Sequence, residues 1–198
     1  IMNLSTDIDI GAIILAAGNS SRFGDENKLL AKFGEKTVIE TTINNITKLF
    51  KKDEITIVLR NKSQLPNFLK FLPYKLTIVS KENFGISESI KQGLNNFITK
   101  DGVIICLGDM PGVSASTYSK IRNSLIEQED KIIVPLYKGT KGNPIGIPRK
   151  FYGKLKKISG DVGFKQLFSQ LKKNISFLEI DDKYILKDID TKKDLQHF

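Results

Sequence analysis

Histidine, cysteine and tryptophan are nearly missing from this 198-residue chain, which has one His, one Cys and no Trp. A single cysteine, Cys106, excludes an internal disulfide and any multi-cysteine zinc site. A single histidine, His197, offers no His-rich metal centre and no Ser-His-Asp set. Long hydrophobic runs are missing too, and none approaches the roughly 18 apolar residues of a membrane span. Residues 1–9 lack the basic start and apolar stretch of a signal peptide and are read as a tail. No Pro/Gly/Ser linker and no internal repeat interrupts the rest. Residues 10–198 are therefore expected to form one domain, long enough to bury a real core. A reducing cytoplasm is the expected compartment, with no membrane partner.

Negative charge is in short supply: 31 Lys and Arg face 22 Asp and Glu, a net charge of +9. The surplus suits an anionic partner. It is scattered over Lys51-Lys52, Lys156-Lys157, Lys172-Lys173 and Lys192-Lys193, and reads first as a solvated surface. Aromatic residues do not alternate with the basic ones as a base-stacking platform requires, so no nucleic acid partner is expected.

What is present is an alternation of strand and helix. Residues 10–15 are a short Ile-rich run, the pattern of a buried strand. Further strands are expected at 55–59, 76–79, 103–107, 132–136, 145–147, 175–180 and 184–187. Val38, Ile39, Ile43, Ile46 and Leu49 recur at helical spacing, as do Ile90, Leu94 and Phe97. Ser114 reads as the N-cap of a helix carrying Thr117, Tyr118, Ile121 and Leu125. Short helices are expected near 150–158 and 161–171, with Asp190 capping a terminal one. Phe68, Phe71, Phe97, Phe164 and Phe168 are expected in the core. The alternation argues for a single three-layer α/β/α, Rossmann-like domain. Residues 138–143, a turn with two glycines, return the chain toward 145–147 and make the sheet mixed but mostly parallel.

Ligands of open α/β sheets bind beyond the carboxyl ends of the strands. There the chain reads Leu15-Ala16-Ala17-Gly18-Asn19-Ser20-Ser21-Arg22-Phe23-Gly24, with Lys28 following. Gly18 and Gly24 let the backbone bend and present N–H groups to phosphate oxygens. Arg22 can grip phosphate through its planar fork and Lys28 as a point charge. The spacing matches neither a P-loop nor G-x-G-x-x-G, and an ordinary polar loop fits these residues equally well. Asp109 follows the apolar run 103–107, and Asp190 follows 184–187. Both suit the hard oxygen donation that Mg²⁺ needs, and both also suit turn or cap roles. Asp188 lies one period-two step before Asp190, on the same face.

The Leu15–Gly24 segment resembles the signature of the nucleotidyltransferases that activate sugars, terpenoid precursors and the molybdenum cofactor. Gly85-Ile86-Ser87-Glu88-Ser89-Ile90 resembles the family's base-and-ribose loop, and Cys106-Leu107-Gly108-Asp109-Met110-Pro111 its metal-binding strand end. Gly142-Asn143-Pro144, Ser159-Gly160-Asp161-Val162-Gly163 and Asp188-Ile189-Asp190-Thr191 resemble motifs of the molybdenum cofactor cytidylyltransferase branch. The resemblance implies the nucleotide-diphospho-sugar transferase fold and transfer of CMP from CTP to the terminal phosphate of molybdopterin, with Mg²⁺. It implies Arg22, Lys28 and Asp109 as catalytic residues and Asp109 and Asp190 as metal ligands. Nucleotide binding would fall to Leu15, Ala16, Ala17, Gly18, Asn19, Ser20, Ser21, Arg22, Lys28, Ser87, Ser89 and Gly108. Asn143, Pro144 and Asp161 would meet the acceptor. Ala17 resembles the CTP users, which lack a second glycine there. The family usually has His at Asn143, and two residues, not three, between the Gly24 and Lys28 positions. A molybdenum hydroxylase is the implied recipient of the product. GTP use, another phosphorylated acceptor, or a non-catalytic accessory protein that carries cofactor to such a hydroxylase are the alternatives.

Overall fold

In chain order the strands are β1 (Ile10–Leu15), β2 (Lys32–Phe33), β3 (Lys36–Thr37), β4 (Ile55–Leu59), β5 (Lys75–Ile78), β6 (Gly102–Leu107), β7 (Ile132–Tyr137), β8 (Thr140–Lys141), β9 (Ile145–Pro148) and β10 (Ile175–Glu179). The helices are α1 (Val38–Ile46), α2 (Ile86–Asn95), α3 (Ala115–Glu127), α4 (Tyr152–Leu155) and α5 (Phe164–Gln170). They come from a computed structural model, which describes residues 8–24, 26–79, 85–159 and 164–198.

β1 is buried along its whole length, as its unbroken apolar run requires. It pairs in parallel with β4 on one side and β6 on the other, and β5 extends the sheet beyond β4. Beyond β6 the sheet changes sense: β9 runs antiparallel to both β6 and β7, and β10 closes that edge parallel to β7. The order is β10-β7-β9-β6-β1-β4-β5, with β8 folded back on the end of β7. The sheet is thus mixed and mostly parallel. No helix among the described residues is long and apolar enough to cross a membrane.

Period-two alternation divides β1 between two cores. Ala12 and Ile14 join the layer of α1 and α3, while Ile13 and Leu15 join that of α2, α4 and α5. Val38, Ile39, Ile43 and Ile46 give α1 its buried stripe, and Thr37 with Glu40 closes a reciprocal capping box at its start. Ser114 caps α3, its hydroxyl accepting from the Thr117 amide. Each fully buried Ile contributes roughly 1.5–3 kcal/mol. Gly93 lets α2 lie close on the sheet, since a Cβ there would stand 2.5 Å from Ile13 Cγ2 and 2.9 Å from Val58 Cγ2. Cys106 is fully enclosed, and burial pushes its thiol pKa far up, so it acts as a small apolar residue.

Three expectations are corrected. Residues 184–187 are not a strand: Asp182 Oδ1 accepts from the Tyr184 amide at 3.0 Å and curls the chain into a 3-10 turn, Lys183–Leu186. Asp190 caps no terminal helix, because the chain there makes only a 3-10 turn, Asp194–Gln196, and Asp194 Oδ2 accepts from the Asp190 and Thr191 amides instead. Phe71 is 87% exposed: residues 67–71 form a 3-10 turn that buries Leu69 and leaves Phe71 in water. Phe97 and Phe164 are buried as expected, and the Phe68 side chain lies outside the described residues.

Candidate active site

The ends of β6, β1, β4 and β5 open into a cavity of about 300 Å³. Its walls are Leu15 through Asn19, Lys28 and Leu29 after β1, Arg60 after β4, Val79 after β5, Gly85, Ile86 and Ser89 at the start of α2, and Leu107 with Asp109 after β6. Four parallel strands bring these segments together, since parallel neighbours all end on the same side.

One end is charged. Asn27 Oδ1 accepts from the Leu29 amide and starts the 3-10 turn Lys28–Leu30. That turn aims Lys28, 8% exposed, at two carboxylates. Lys28 Nζ stands 2.6 Å from Asp109 Oδ2 and 2.9 Å from Asp190 Oδ1. Arg22 reaches the other oxygen of Asp190 at 2.8 Å. Asp109 is set by Gly108, whose amide donates to the Leu15 carbonyl at 2.9 Å. A Cβ at Gly108 would lie 3.0 Å from Ile39 Cδ1 and 3.2 Å from the Leu15 carbonyl oxygen, so any side chain there would crowd the ends of the two strands. Asp188 and Asp190 flank the buried Ile189, whose amide donates to the Asp109 carbonyl at 2.9 Å. One oxygen from each of Asp109, Asp188 and Asp190 falls within 4.8 Å of the others.

Burial works against charge on Lys28, but Asp109 and Asp190 outweigh it and hold the ammonium above its ordinary pKa. Burial pushes the Asp109 carboxyl up, Lys28 pulls it down, and Asp188 adds to the rise. The close contact of one ammonium with two carboxylates favours the ion-pair form at neutral pH. Three carboxylates converging on one point are hard oxygen donors and fit a divalent cation such as Mg²⁺. Lys28 now neutralises part of that set.

Beyond β1 the described wall residues are Arg60, Val79, Gly85 and Ile86, with Val79 set beside Arg60 by its amide, which donates to the Leu59 carbonyl at 2.9 Å. Gly85, not Ser87, is the N-cap of α2, and its φ of 147° is one that favours glycine. Ser89 faces the cavity and donates to the Gly85 carbonyl at 3.3 Å.

Of the residues singled out from sequence, the cavity gathers Leu15, Ala16, Ala17, Gly18, Asn19, Lys28, Ser89 and Asp109 in its walls. Asp190 and Arg22 join through ion pairs. Ser20 takes a left-handed conformation at φ 51°, and its hydroxyl accepts from the Lys28 amide at 3.4 Å. Ser21 is exposed, and Ser87 is buried in α2 outside the walls. Gly108 serves strand convergence and does not line the cavity. Asn143 and Pro144 precede β9, whose Ile145 pairs with Ile105, so they leave the sheet on the Asp109 side but outside the walls. Asp161 lies outside the described residues.

Sequence reasoning missed Arg60, Gln64 and Thr42. Arg60 follows an apolar strand just as Asp109 does, and that shared position was the available signal. Gln64 Nε2 donates to the Ala16 carbonyl at 2.9 Å, and Thr42 Oγ1 donates to the Gly108 carbonyl at 3.1 Å. Both are links across the fold that no local pattern announces.

Over residues 12–175 the sequence matches the family described as the MobA-like NTP transferase domain. The probable molybdenum cofactor guanylyltransferase of Thermococcus sibiricus is 31% identical over 133 residues, 67% of this chain and 65% of that protein. The bifunctional protein GlmU of Buchnera aphidicola subsp. Schizaphis graminum is 30% identical over 150 residues, 72% of this chain and 30% of that protein. The matched regions thus span less than two thirds of either relative. Rv0371c from Mycobacterium tuberculosis H37Rv superposes with a TM-score of 0.81 over 96% of both chains at 23% identity, a likeness of fold. The family match covers both the loop after β1 and the Asp109 strand end, and the chain belongs to the MobA-like NTP transferase domain family.

Proposed function

We propose that the protein transfers a nucleoside monophosphate from a nucleoside triphosphate to the terminal phosphate of molybdopterin. The observation that carries the reading is Lys28 held between Asp109 and Asp190 at the charged end of a cavity walled by the Leu15–Asn19 loop. An oxygen of the acceptor phosphate attacks the α-phosphorus, the bond to the bridging oxygen breaks, and pyrophosphate leaves. The acceptor oxygen is already ionised near neutral pH, so no histidine base is needed. Catalysis is then alignment and charge compensation. Lys28 and Arg22 hold the phosphates and offset charge on the departing pyrophosphate. Backbone amides of residues 16–19 line the triphosphate. Asp109, Asp188 and Asp190 would hold Mg²⁺, which supplies charge neutralisation at the phosphates when bound. Asn143, Pro144 and Asp161 take the acceptor side.

For the base, the methyl group of Ala17 in the cavity wall supports CTP, because it limits how closely a base edge approaches the loop. The guanylyltransferase names of relatives support GTP as the second reading. The proposed setting is the cytoplasm, with a molybdenum hydroxylase receiving the product if CTP is used. Pyrophosphate release from CTP, GTP, ATP and UTP, with and without molybdopterin, tests the reading. Release that requires molybdopterin and vanishes in Asp109→Asn is the expected result. Mg²⁺-dependent nucleotide binding without any release would point to an accessory carrier instead.

A further inference from the structure

The transfer reaction leaves one cavity cation unassigned, Arg60. It follows β4, and β4 is separated from β6 by β1. At about 4.8 Å per strand, its backbone stands about 10 Å across the sheet from that of Asp109. Arg60 therefore belongs to the end remote from the carboxylates. Among the described residues, Val79, held beside it by the Leu59 carbonyl, and Gly85 and Ile86 in the same cavity wall are apolar or small and suit the flat faces of a base better than a phosphate. Its place is also fixed. The Gln64 side chain, 6% exposed, accepts from the Arg60 and Asn61 amides and donates to the Ala16 carbonyl. Arg60 is thereby tied to the segment that carries Ala17.

A guanidinium has only donors, set in a rigid plane. Two of its N–H groups match two acceptors that lie side by side. Guanine offers O6 and N7, and cytosine offers O2 and N3. Adenine sets an amino donor beside N7, and uracil places N3–H between its carbonyls. We infer that Arg60 selects the base, admitting triphosphates whose base presents two adjacent acceptors and rejecting adenine and uracil. This rests on reading the cavity as a nucleoside triphosphate site.

Calorimetric titration with CTP, GTP, ATP, UTP and base-free ribose 5-triphosphate, in Mg²⁺ and without acceptor, tests it. Wild type is expected to bind CTP or GTP about tenfold to a hundredfold more tightly than ATP and UTP. The two arms also show which of the two accepting bases is used. Arg60→Met keeps the apolar stem and removes the donors. It should lose the preference while ATP and ribose 5-triphosphate binding stays within about twofold, because only the base contact is removed. Arg60→Lys keeps the charge without the fork and should lose most of the preference as well, which guards against a folding defect in the Met variant. Equal weakening of all five ligands, or a wild type indifferent to the base, would overturn the inference while leaving the transferase reading intact. A wild type that binds none of the five would overturn that reading itself.

Discussion

The two ends of the cavity are built on opposite plans. At the Asp109 end, charges are close and mutually compensated, with Lys28 between two carboxylates and Arg22 on the outer one. At the Arg60 end the other described wall residues, Val79, Gly85 and Ile86, are apolar or small, and positioning comes from the Gln64 amide. The difference teaches what each end costs to maintain. The charged end depends on every member being present, because a buried charge without its partner is expensive. The apolar end depends on packing, where small changes of shape matter more than charge.

The sharpest break is expected from Asp109→Asn or Asp190→Asn. Either should cut pyrophosphate release by at least about a hundredfold, as loss of an electrostatic element at a reacting phosphate does. Nucleotide binding by calorimetry should keep its base preference, because the apolar end is untouched. Lys28→Met should act on both stability and metal. It leaves Asp109 uncompensated and Asp190 with Arg22 alone, so urea unfolding should show a loss of about 3 kcal/mol. Added Mg²⁺ should restore much of it, and Mg²⁺ titration without nucleotide should show tighter binding than in wild type, since the competing ammonium is gone.

Gly93→Ala tests the apolar end. Its new methyl would meet Ile13 and Val58, both fully buried, so α2 must shift with the Ile86 and Ser89 that line the cavity. Destabilisation of about 1–3 kcal/mol is expected from urea melts, with a raised KM for nucleotide. Gln64→Ala should cost about 1–2 kcal/mol through the unsatisfied Ala16 carbonyl, and blunt the base preference without abolishing turnover. The smallest effect is one of pH. Burial raises the Asp182 carboxyl, but hydrogen bonds from the Thr117 hydroxyl and the Ser114 and Tyr184 amides outweigh it and hold the pKa below the ordinary value. Folding then strengthens with pH in that window, because the unfolded chain binds more protons. The contribution is complete above the ordinary aspartate pKa of about 3.9 and fades as pH falls through the lower folded value. Stability curves for wild type and Asp182→Asn should therefore converge on acidification.

Much of this was legible because the deciding forces are local. β1 spans the predicted residues 10–15, since a short Ile-rich apolar run is the pattern of a strand buried on both faces. The Ser114 cap was legible for the same reason, being a contact between near neighbours. Residues 184–187 were misread because one side chain, Asp182, overrode an apolar alternation. Lys28 was legible by type, but its two carboxylates come from β6 and from far along the chain. Arg60 and Gln64 were not legible, because their meaning depends on β4 and β1 being neighbours. Phe71 shows the converse, a large apolar residue that the pattern places inside and the chain leaves in water.

Asp190 lies 162 positions after Lys28, and the Ile189 amide stitches its segment to the Asp109 carbonyl. Synthesis runs in that direction, so Arg22 and Lys28 emerge well before the carboxylate that they share. A polypeptide halted short of residue 190 retains Asp109 for the ammonium but lacks the second carboxylate, the one that Lys28 and Arg22 share. The charged end of the cavity is therefore completed only after translation has passed residue 190.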